Sequence, residues 1–230
     1  ICSEEEPIDD AKITWSETSD GTPAATFTGV YSDCGSEINE DITESVTDED
    51  GVYTVTAHGL TSTMGYLELT DSEGKTVRIS DQAIKAASKV EISDEEPWHY
   101  NETSTITGTV YSVKSILENL GIDVSEAHGL KFVASDGFVT GIAQDKIDKL
   151  YIADQSELFH NGNACGEAGT YGLAIDGEKG NLQASSVVTA TVLADGQHAW
   201  FVKGGKCRHF CTICSEEEPI DDAKITWSET

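Results

Sequence analysis

The chain has 230 residues, of which 38% are hydrophobic, and its 21 glycines outnumber its 4 prolines. This composition indicates a globular protein and excludes a disordered or collagen-like chain. The formal net charge of −28 argues against nucleic acid as a partner, because phosphates require a basic surface. Such an acidic surface fits a secreted protein that stays soluble at high local concentration, or one that binds divalent cations. No apolar run reaches the length of about 18 residues that a membrane span requires.

Residues 11–88 are predicted to form short strands separated by polar turns. The predicted strands cover residues 12–16, 25–31, 40–46, 52–57, 66–70 and 75–79. Strands spaced at roughly ten residues predict an antiparallel sandwich. The pattern ITWSETSDGTPAATFTGVYSDCG followed by DGVYTVTAHG resembles the immunoglobulin-like repeats of large bacterial surface proteins.

The pattern changes after residue 88, where short helices occur among strands. An amphipathic helix is predicted over residues 113–121, with Gly121 as its C-terminal cap. The remaining predicted elements are a strand at 130–134, a short helix at 145–151, a glycine-rich loop at 161–172 and strands at 187–193 and 199–202. This mixture predicts an α+β domain.

The sequences GTVYSVKSILENLGID, HGLKFVASDGFVTGI, LYIADQSELFHNG, GTYGLAIDGEKGN and SVVTATV follow one another between residues 106 and 193. In this order they resemble the molybdopterin-binding domain of the sulfite oxidase-like family. The resemblance implies a metal-binding Cys before the helix and basic residues for the cofactor phosphate. Within residues 106–193 no Cys precedes the helix, Cys165 does not match the ligand position, and Tyr171-Gly172-Leu173 replaces the expected Arg. We therefore expect a related scaffold that has lost the cofactor.

The two ends of the chain share one sequence. Residues 1–18 read ICSEEEPIDDAKITWSET, and residues 213–230 repeat these eighteen letters. An exact match of this length indicates a tandem-repeat protein, and the offset between the copies gives a period of 212 residues. Both ends look like cuts in a longer polymer. An alternative is that one duplicated strand closes a single domain.

Cysteines cluster at the seam between the predicted repeats. Cys207, Cys211 and Cys214 fall within eight residues, and Cys214 is the repeat equivalent of Cys2. Each period therefore carries five cysteines: Cys34, Cys165, Cys207, Cys211 and Cys214. In a secreted chain this number predicts two disulfides and one odd thiol, which could bond to a neighbouring chain.

The same seam also permits a metal site. Three thiolates in the pattern C-x3-C-x2-C, with Cys34 or His209 as a fourth ligand, could hold zinc or an iron–sulfur cluster. The six histidines are scattered without a His-x-x-x-His pair, so each is expected to be a single surface or packing residue.

Acidic residues precede the first predicted strand. The candidate calcium ligands are Glu4, Glu5, Glu6, Asp9 and Asp10. Calcium prefers such oxygen-rich clusters, but no twelve-residue calcium loop is seen, so a solvated acidic linker is the favoured interpretation. Asn101-Glu102-Thr103 is a formal glycosylation sequon, which marks Asn101 as a candidate modification site in an exposed loop.

Together these patterns predict a mainly β protein, in which an immunoglobulin-like antiparallel β-sandwich and an α+β domain recur in tandem. The predicted segments are an acidic seam at 1–10, the sandwich at 11–88, the α+β domain at 89–203, a Cys-rich and acidic seam at 204–222 and the next repeat's first strand at 223–230. We expect a structural unit of an extracellular or cell-surface stalk or filament, with identical repeats or chains as partners. The alternatives are a metal-binding or redox repeat and an adhesin that binds a ligand near residues 161–172. No phosphate loop, nucleophile elbow or dinucleotide fingerprint occurs, so no enzymatic activity is expected.

Overall fold

A computed structural model of the chain describes residues 7–17, 22–49, 52–99, 104–176, 182–202 and 208–219. Several candidate residues lie outside these ranges: Cys2, Glu4, Glu5, Glu6, Asn101 and Cys207. The structure is mainly β, as predicted. No helix within the described ranges is long and apolar enough to cross a membrane.

The strands of the described residues fall into three sheets. The first contains β1 (Ile8–Glu17), β2 (Pro23–Tyr31) and β3 (Glu37–Asp41) in sequential antiparallel order. The large sheet contains β4 (Thr47–Glu49), β5 (Val52–Ala57), β6 (Leu60–Thr70), β7 (Thr76–Ser80), β8 (Lys89–Ile92), β9 (Trp98–His99), β10 (Thr105–Ser112), β11 (Gly129–Ala134), β12 (Val139–Ala143), β13 (Leu150–Asp154), β14 (Leu158–His160), β15 (Asn163–Ala164), β16 (Tyr171–Ile175) and β17 (Leu182–Leu193). The third sheet contains β18 (Trp200–Val202), β19 (Arg208–Cys211) and β20 (Glu217–Pro219).

The large sheet extends across residue 88, at which the sequence predicts a domain boundary. Strand β6 pairs with β5 through its first half and with β7 through its second half. The second half of β6 also pairs in parallel with β17, where Thr189 faces Glu68 and Thr191 faces Thr70. Strands from both predicted domains therefore share one hydrogen-bonded sheet.

In the part of the chain that the structure describes, two short α-helices and two 3₁₀ helices accompany the strands. The α-helices are α1 (Asp81–Lys85) and α2 (Val113–Asn119), and the 3₁₀ helices span Thr43–Ser45 and Gln144–Lys149. Helix α2 begins where the Ser112 hydroxyl accepts a hydrogen bond from the Ser115 N–H (3.2 Å). It ends before Gly121, whose φ of +70° is readily adopted by glycine. This confirms the predicted helix and its cap.

The main core lies between α2 and the large sheet. The helical spacing predicts one apolar face made of Val113, Ile116, Leu117 and Leu120. The first three form the buried face of α2, whereas Leu120, which follows the helix, is 39% exposed. They belong to one apolar cluster with strand residues such as Leu130 and Ile152, both of which are fully buried. This cluster fixes the positions of β11 and β12, on which the functional site depends.

The structure differs from the sequence prediction in two places near the first sheet. Strand β3 ends at Asp41, whereas a strand was predicted over 40–46. The Asp41 carboxylate accepts a hydrogen bond from the Thr43 N–H (3.0 Å), which turns the chain into the 3₁₀ helix. Helix α1 was not predicted, and it begins at the Ser80 hydroxyl, which accepts from the Ala83 N–H (3.2 Å).

Candidate metal centre

The turn between β19 and β20 brings two thiols together. The Ser215 N–H donates to the Cys211 carbonyl oxygen (3.0 Å), and the Cys211 N–H donates to the Glu216 carbonyl oxygen (2.9 Å). Ser215 has a φ of +62°, which reverses the chain directly after Cys214. The four residues Cys-Thr-Ile-Cys therefore form a tight loop with both sulfur atoms close together.

The same loop favours a thiolate at Cys211. Burial opposes ionisation of this thiol, but hydrogen bonds from the N–H groups of Cys214 and Ile213 and from the side chains of His198 and Cys214 lower the pKa of Cys211 to about 7. Desolvation raises the pKa of Cys214, and the neighbouring Cys211 sulfur raises it further. The pair thus favours one thiolate, which is the form of cysteine that binds metals.

His198 lies beside these thiols from the segment that precedes β18. Its Nδ1 atom is 3.4 Å from the Sγ atom of Cys214. The opposite nitrogen, Nε2, lies 3.6 Å from a carboxylate oxygen of Glu216. The His198 ring also packs against Trp200, with ring centroids 4.5 Å apart. One ring nitrogen therefore faces sulfur while the other faces a carboxylate.

His128 reaches the same point from the start of β11. Its N–H donates to the Leu193 carbonyl (2.8 Å), and its own carbonyl accepts from the Gln144 N–H (3.3 Å). Its Nε2 atom is buried and has no hydrogen-bond partner among the described residues. A buried polar atom without a partner is costly and calls for an explanation. The His128 ring stands edge-on to that of His198, with centroids 6.1 Å apart.

Two glycines in the large sheet allow the turn to approach His128. A Cβ atom at Gly141 in β12 would lie 2.6 Å from Cγ1 of Ile213, 2.5 Å from Oγ1 of Thr212 and 2.6 Å from Cβ of Ala199. A Cβ atom at Gly129 in β11 would lie 2.9 Å from Cδ1 of Ile213. Only glycine at these positions lets the Cys-Thr-Ile-Cys turn rest on β11 and β12.

Three side chains from separate segments converge here. Each of His128, His198 and Cys214 contributes one ligand atom, and these three atoms all lie within 4.8 Å of one another. Cys211 is outside that set of three, but its sulfur makes side-chain hydrogen bonds with both His198 and Cys214. A tetrahedral zinc with Zn–S and Zn–N bonds of about 2.3 and 2.05 Å places S and N about 3.5 Å apart. The 3.4 Å separation of Cys214 and His198 matches that edge.

The other candidate ligands lie elsewhere or have other partners. Cys34 is exposed in the turn between β2 and β3 and is disulfide-bonded, so its sulfur is not available to a metal. Cys165 is a free, half-buried thiol beside the cluster of Ile92 and Leu158, and burial raises its pKa. His209 faces Glu218 instead of the thiols, with Nδ1 3.2 Å from the carboxylate.

The calcium candidates within the described residues do not form a site. Asp9 and Asp10 are exposed in β1 and belong to no group of three or more clustered ligands in the part of the chain that the structure describes. Glu4, Glu5 and Glu6 fall outside that part.

Sequence reasoning identified the two thiols but missed both histidines. His128 lies 86 positions before Cys214 in the sequence, and the fold alone brings the two together. The available signals were weak: Gly129 directly follows His128, and His198 directly precedes Ala199 and Trp200 at the start of β18. Comparisons with protein-family models, with curated proteins and with solved structures find no match for this chain.

Proposed function

We propose that this protein is a zinc-binding structural repeat of an extracellular or cell-surface stalk or filament. The zinc ligands are Cys211, Cys214, His198 and His128. The observation that carries the proposal is the convergence of His128, His198 and Cys214, whose ligand atoms lie within 4.8 Å of one another. Neighbouring identical repeats are the partners that the sequence repeat favours.

The chemistry of the donor set favours zinc over other metals. Two thiolates and two imidazoles in a tetrahedral arrangement are typical of structural zinc sites. Calcium and magnesium require oxygen donors, which this group lacks. Four-thiolate iron–sulfur sites require two further cysteines. Among the described residues, the other two cysteines have different surroundings: Cys34 is disulfide-bonded and Cys165 packs against another cluster.

The outer contacts also suit a bound cation. Ligating histidines commonly direct their second ring nitrogen to a carboxylate, which orients the ring and makes the bound nitrogen more basic. Glu216 lies at that second nitrogen of His198, 3.6 Å away. At His128 the buried Nε2 atom gains a partner when it binds the metal, which removes the cost of its desolvation.

A structural role follows from which segments the ion would join. Cys211 and Cys214 belong to the third sheet, whereas His128 precedes β11 of the large sheet. The strands of the third sheet have no ladder hydrogen bonds to the large sheet among the described residues. Zinc would therefore clamp the last hairpin to the body of the protein.

Metal analysis of the full chain tests this proposal. Protein purified with reductant and dialysed against excess zinc is expected to retain one zinc per chain by elemental analysis. Cys214→Ser and His198→Asn should each weaken zinc binding by more than the roughly 10–100-fold caused by losing an outer contact. Cys165→Ser and His209→Asn are matched controls that keep full affinity, because neither side chain lies at the thiols. A chain without zinc, or ligand variants with unchanged affinity, would reject the proposal.

The second candidate function is a disulfide-stapled repeat without a metal. It is favoured by the disulfide at Cys34 and by the proximity of Cys211 and Cys214. Mass spectrometry of protein isolated without reductant separates the two candidates. A Cys211–Cys214 disulfide in metal-free protein would support the staple, whereas alkylated thiols after zinc removal support the metal site.

We further propose an immunoglobulin-like origin for residues 11–88 and a molybdopterin-domain scaffold without cofactor for residues 89–203. Packing between the first sheet and β5 supports the sandwich, since Phe27 of β2 and Val55 of β5 share one apolar cluster. The α2 helix on an antiparallel sheet is compatible with the second resemblance. A crystal structure of one complete period tests both assignments through its topology.

A further inference from the structure

Two turns of the protein have the same pattern of backbone hydrogen bonds. In the turn Tyr31–Ser36, the Gly35 N–H donates to the Tyr31 carbonyl (2.8 Å) and the Tyr31 N–H donates to the Ser36 carbonyl (3.0 Å). The corresponding bonds of the metal-site turn join Ser215 to Cys211 (3.0 Å) and Cys211 to Glu216 (2.9 Å). The residue that reverses the chain has a φ of +67° at Gly35 and +62° at Ser215.

The neighbouring strand is attached in the same way in both sheets. The Ser32 N–H donates to the Pro7 carbonyl (3.0 Å), directly before β1 begins. The Thr212 N–H donates to the Ala199 carbonyl (3.2 Å), directly before β18 begins. The first and third sheets are therefore two versions of one three-stranded unit, which occur at the two ends of the chain.

The repeated sequence assigns two structural roles to one segment. Residues 213–219 and residues 1–7 have the same sequence, so Pro219 and Pro7 are equivalent. Pro219 is the last residue of β20, where it faces Arg208 of β19. Pro7 accepts the Ser32 hydrogen bonds and is followed at once by β1. The same proline thus ends one sheet and starts the other.

We infer that consecutive copies of this chain join without a linker, so that β20 of one unit continues directly into β1 of the next. The partner of the C-terminal hairpin is then a second copy of the same sequence. A strand has two edges, so pairing of β20 with β19 on one edge leaves the other edge for the following unit. This inference rests on the tandem repeat and on the metal site proposed above.

The metal site lies at the start of this shared strand. Cys214 is five residues before Pro219 and is the last residue of the Cys-Thr-Ile-Cys turn, which rests on Gly129 and Gly141. A metal that joins the thiols to His128 therefore fixes the direction of β20 relative to the large sheet. Zinc loading should set the angle between consecutive units and stiffen the fibre.

A two-unit chain, residues 1–212 followed directly by residues 1–230, provides the test. An azide-bearing amino acid replaces Glu73 in each unit, at an exposed hairpin turn, and carries a spin label that leaves the cysteines untouched. The matched control inserts eight Gly/Ser residues after Pro7 of the second unit, which is the equivalent of Pro219 at the junction. This flexible segment spans about 16 Å. Pulsed dipolar spectroscopy then gives the distance distribution between the two labels, and elemental analysis of the same sample gives its zinc content.

The zinc-loaded two-unit chain is expected to show a narrow distribution, which the insertion broadens at least about twofold. Removal of zinc with a chelator should broaden the distribution of the chain without the insertion. Equal widths with and without the insertion would overturn the direct junction, even if zinc is bound. A narrow distribution in a chain that binds no zinc would leave the junction standing and reject the metal site.

Discussion

The Sγ atom of Cys214 lies 3.4 Å from Nδ1 of His198, a separation that fits one edge of a tetrahedral zinc site. The two residues reach this distance because the segment before β18 and the turn after β19 meet side by side. Trp200, which follows in β18 and pairs with Cys211, packs against the His198 ring. The relative position of this ligand pair is thus built into the third sheet.

The carboxylate of Glu216 should tune the metal affinity without binding the metal. Glu216→Gln removes the charge that faces Nε2 of His198 but keeps the shape of the side chain. We expect zinc affinity to fall by about 10–100-fold, because an imidazole without its carboxylate partner is a weaker ligand. Competition with a chromophoric chelator measures the affinity. Glu218→Gln is the control in the same hairpin, since Glu218 faces His209 and should leave zinc binding unchanged.

Contact between the last hairpin and β12 should also be required for metal binding. In Gly141→Ala the new methyl group meets Thr212 and Ile213 of the hairpin turn and Ala199, which lies directly before β18 of the same sheet. Overpacking of this kind typically costs about 1–3 kcal/mol, and it should move the thiols away from His128. We expect a lower urea midpoint together with weaker zinc binding. Unchanged zinc affinity in a destabilised variant would show that the hairpin binds the metal without resting on the large sheet.

Local patterns were sufficient to predict most secondary structure. Helix α2 was predictable from the spacing of Val113, Ile116 and Leu117 and from the glycine that follows, because these signals depend only on helix geometry. The hairpin β6–β7 was predictable from the turn Asp71–Gly74, whose Asp71 carboxylate accepts from the N–H groups of Glu73 (3.0 Å) and Lys75 (2.9 Å).

Long-range pairing was not predictable from the same patterns. The parallel contact between β6 and β17 joins residues more than a hundred positions apart, and strand alternation does not specify such a partner. The metal ligands show the same difference between local and long-range signals. Cys211 and Cys214 were visible as a local motif, whereas His128 and His198 join them only through the fold, which requires Gly129 and Gly141 to let the turn approach.

Arg78 of β7 should stabilise the part of the large sheet that contains β4, β5 and β6. Its guanidinium lies 4.6 Å from the ring centroid of Tyr66 and donates hydrogen bonds to the Tyr53 hydroxyl (2.7 Å) and the Asp48 carboxylate (3.0 Å). Arg78→Met keeps the apolar stem but loses these contacts. We expect the free energy of unfolding to fall by about 1 kcal/mol, a modest loss because the guanidinium is partly exposed. Urea denaturation measures the change. Lys89→Met removes a fully exposed ion pair with Glu91 and should leave the midpoint unchanged.

The partly buried carboxyl of Asp81, in the first turn of helix α1, should give the protein a distinct dependence of stability on pH. Burial raises the pKa of Asp81, while the ion pair with Lys85 (3.0 Å) opposes this effect and the charges of Asp154 and Glu157 add to it. A raised pKa in the folded state means that Asp81 contributes stability below its unfolded pKa of about 4. That contribution is lost as the pH rises through the folded pKa. The stability difference between wild type and Asp81→Asn should therefore fall as the pH rises above about 4.

The exposed carboxyl of Asp123, whose pKa is lowered instead of raised, provides the control. Hydrogen bonds from the backbone and side chain of Ser125 lower the pKa of Asp123. Its contribution is present above the unfolded pKa and is lost as the pH falls, so the difference between wild type and Asp123→Asn should rise with pH over the same range. Urea unfolding at a series of pH values measures both differences. Two curves that slope in the same direction would contradict the raised pKa of Asp81, because desolvation and the neighbouring carboxylates together reverse the sign that is usual for a carboxyl.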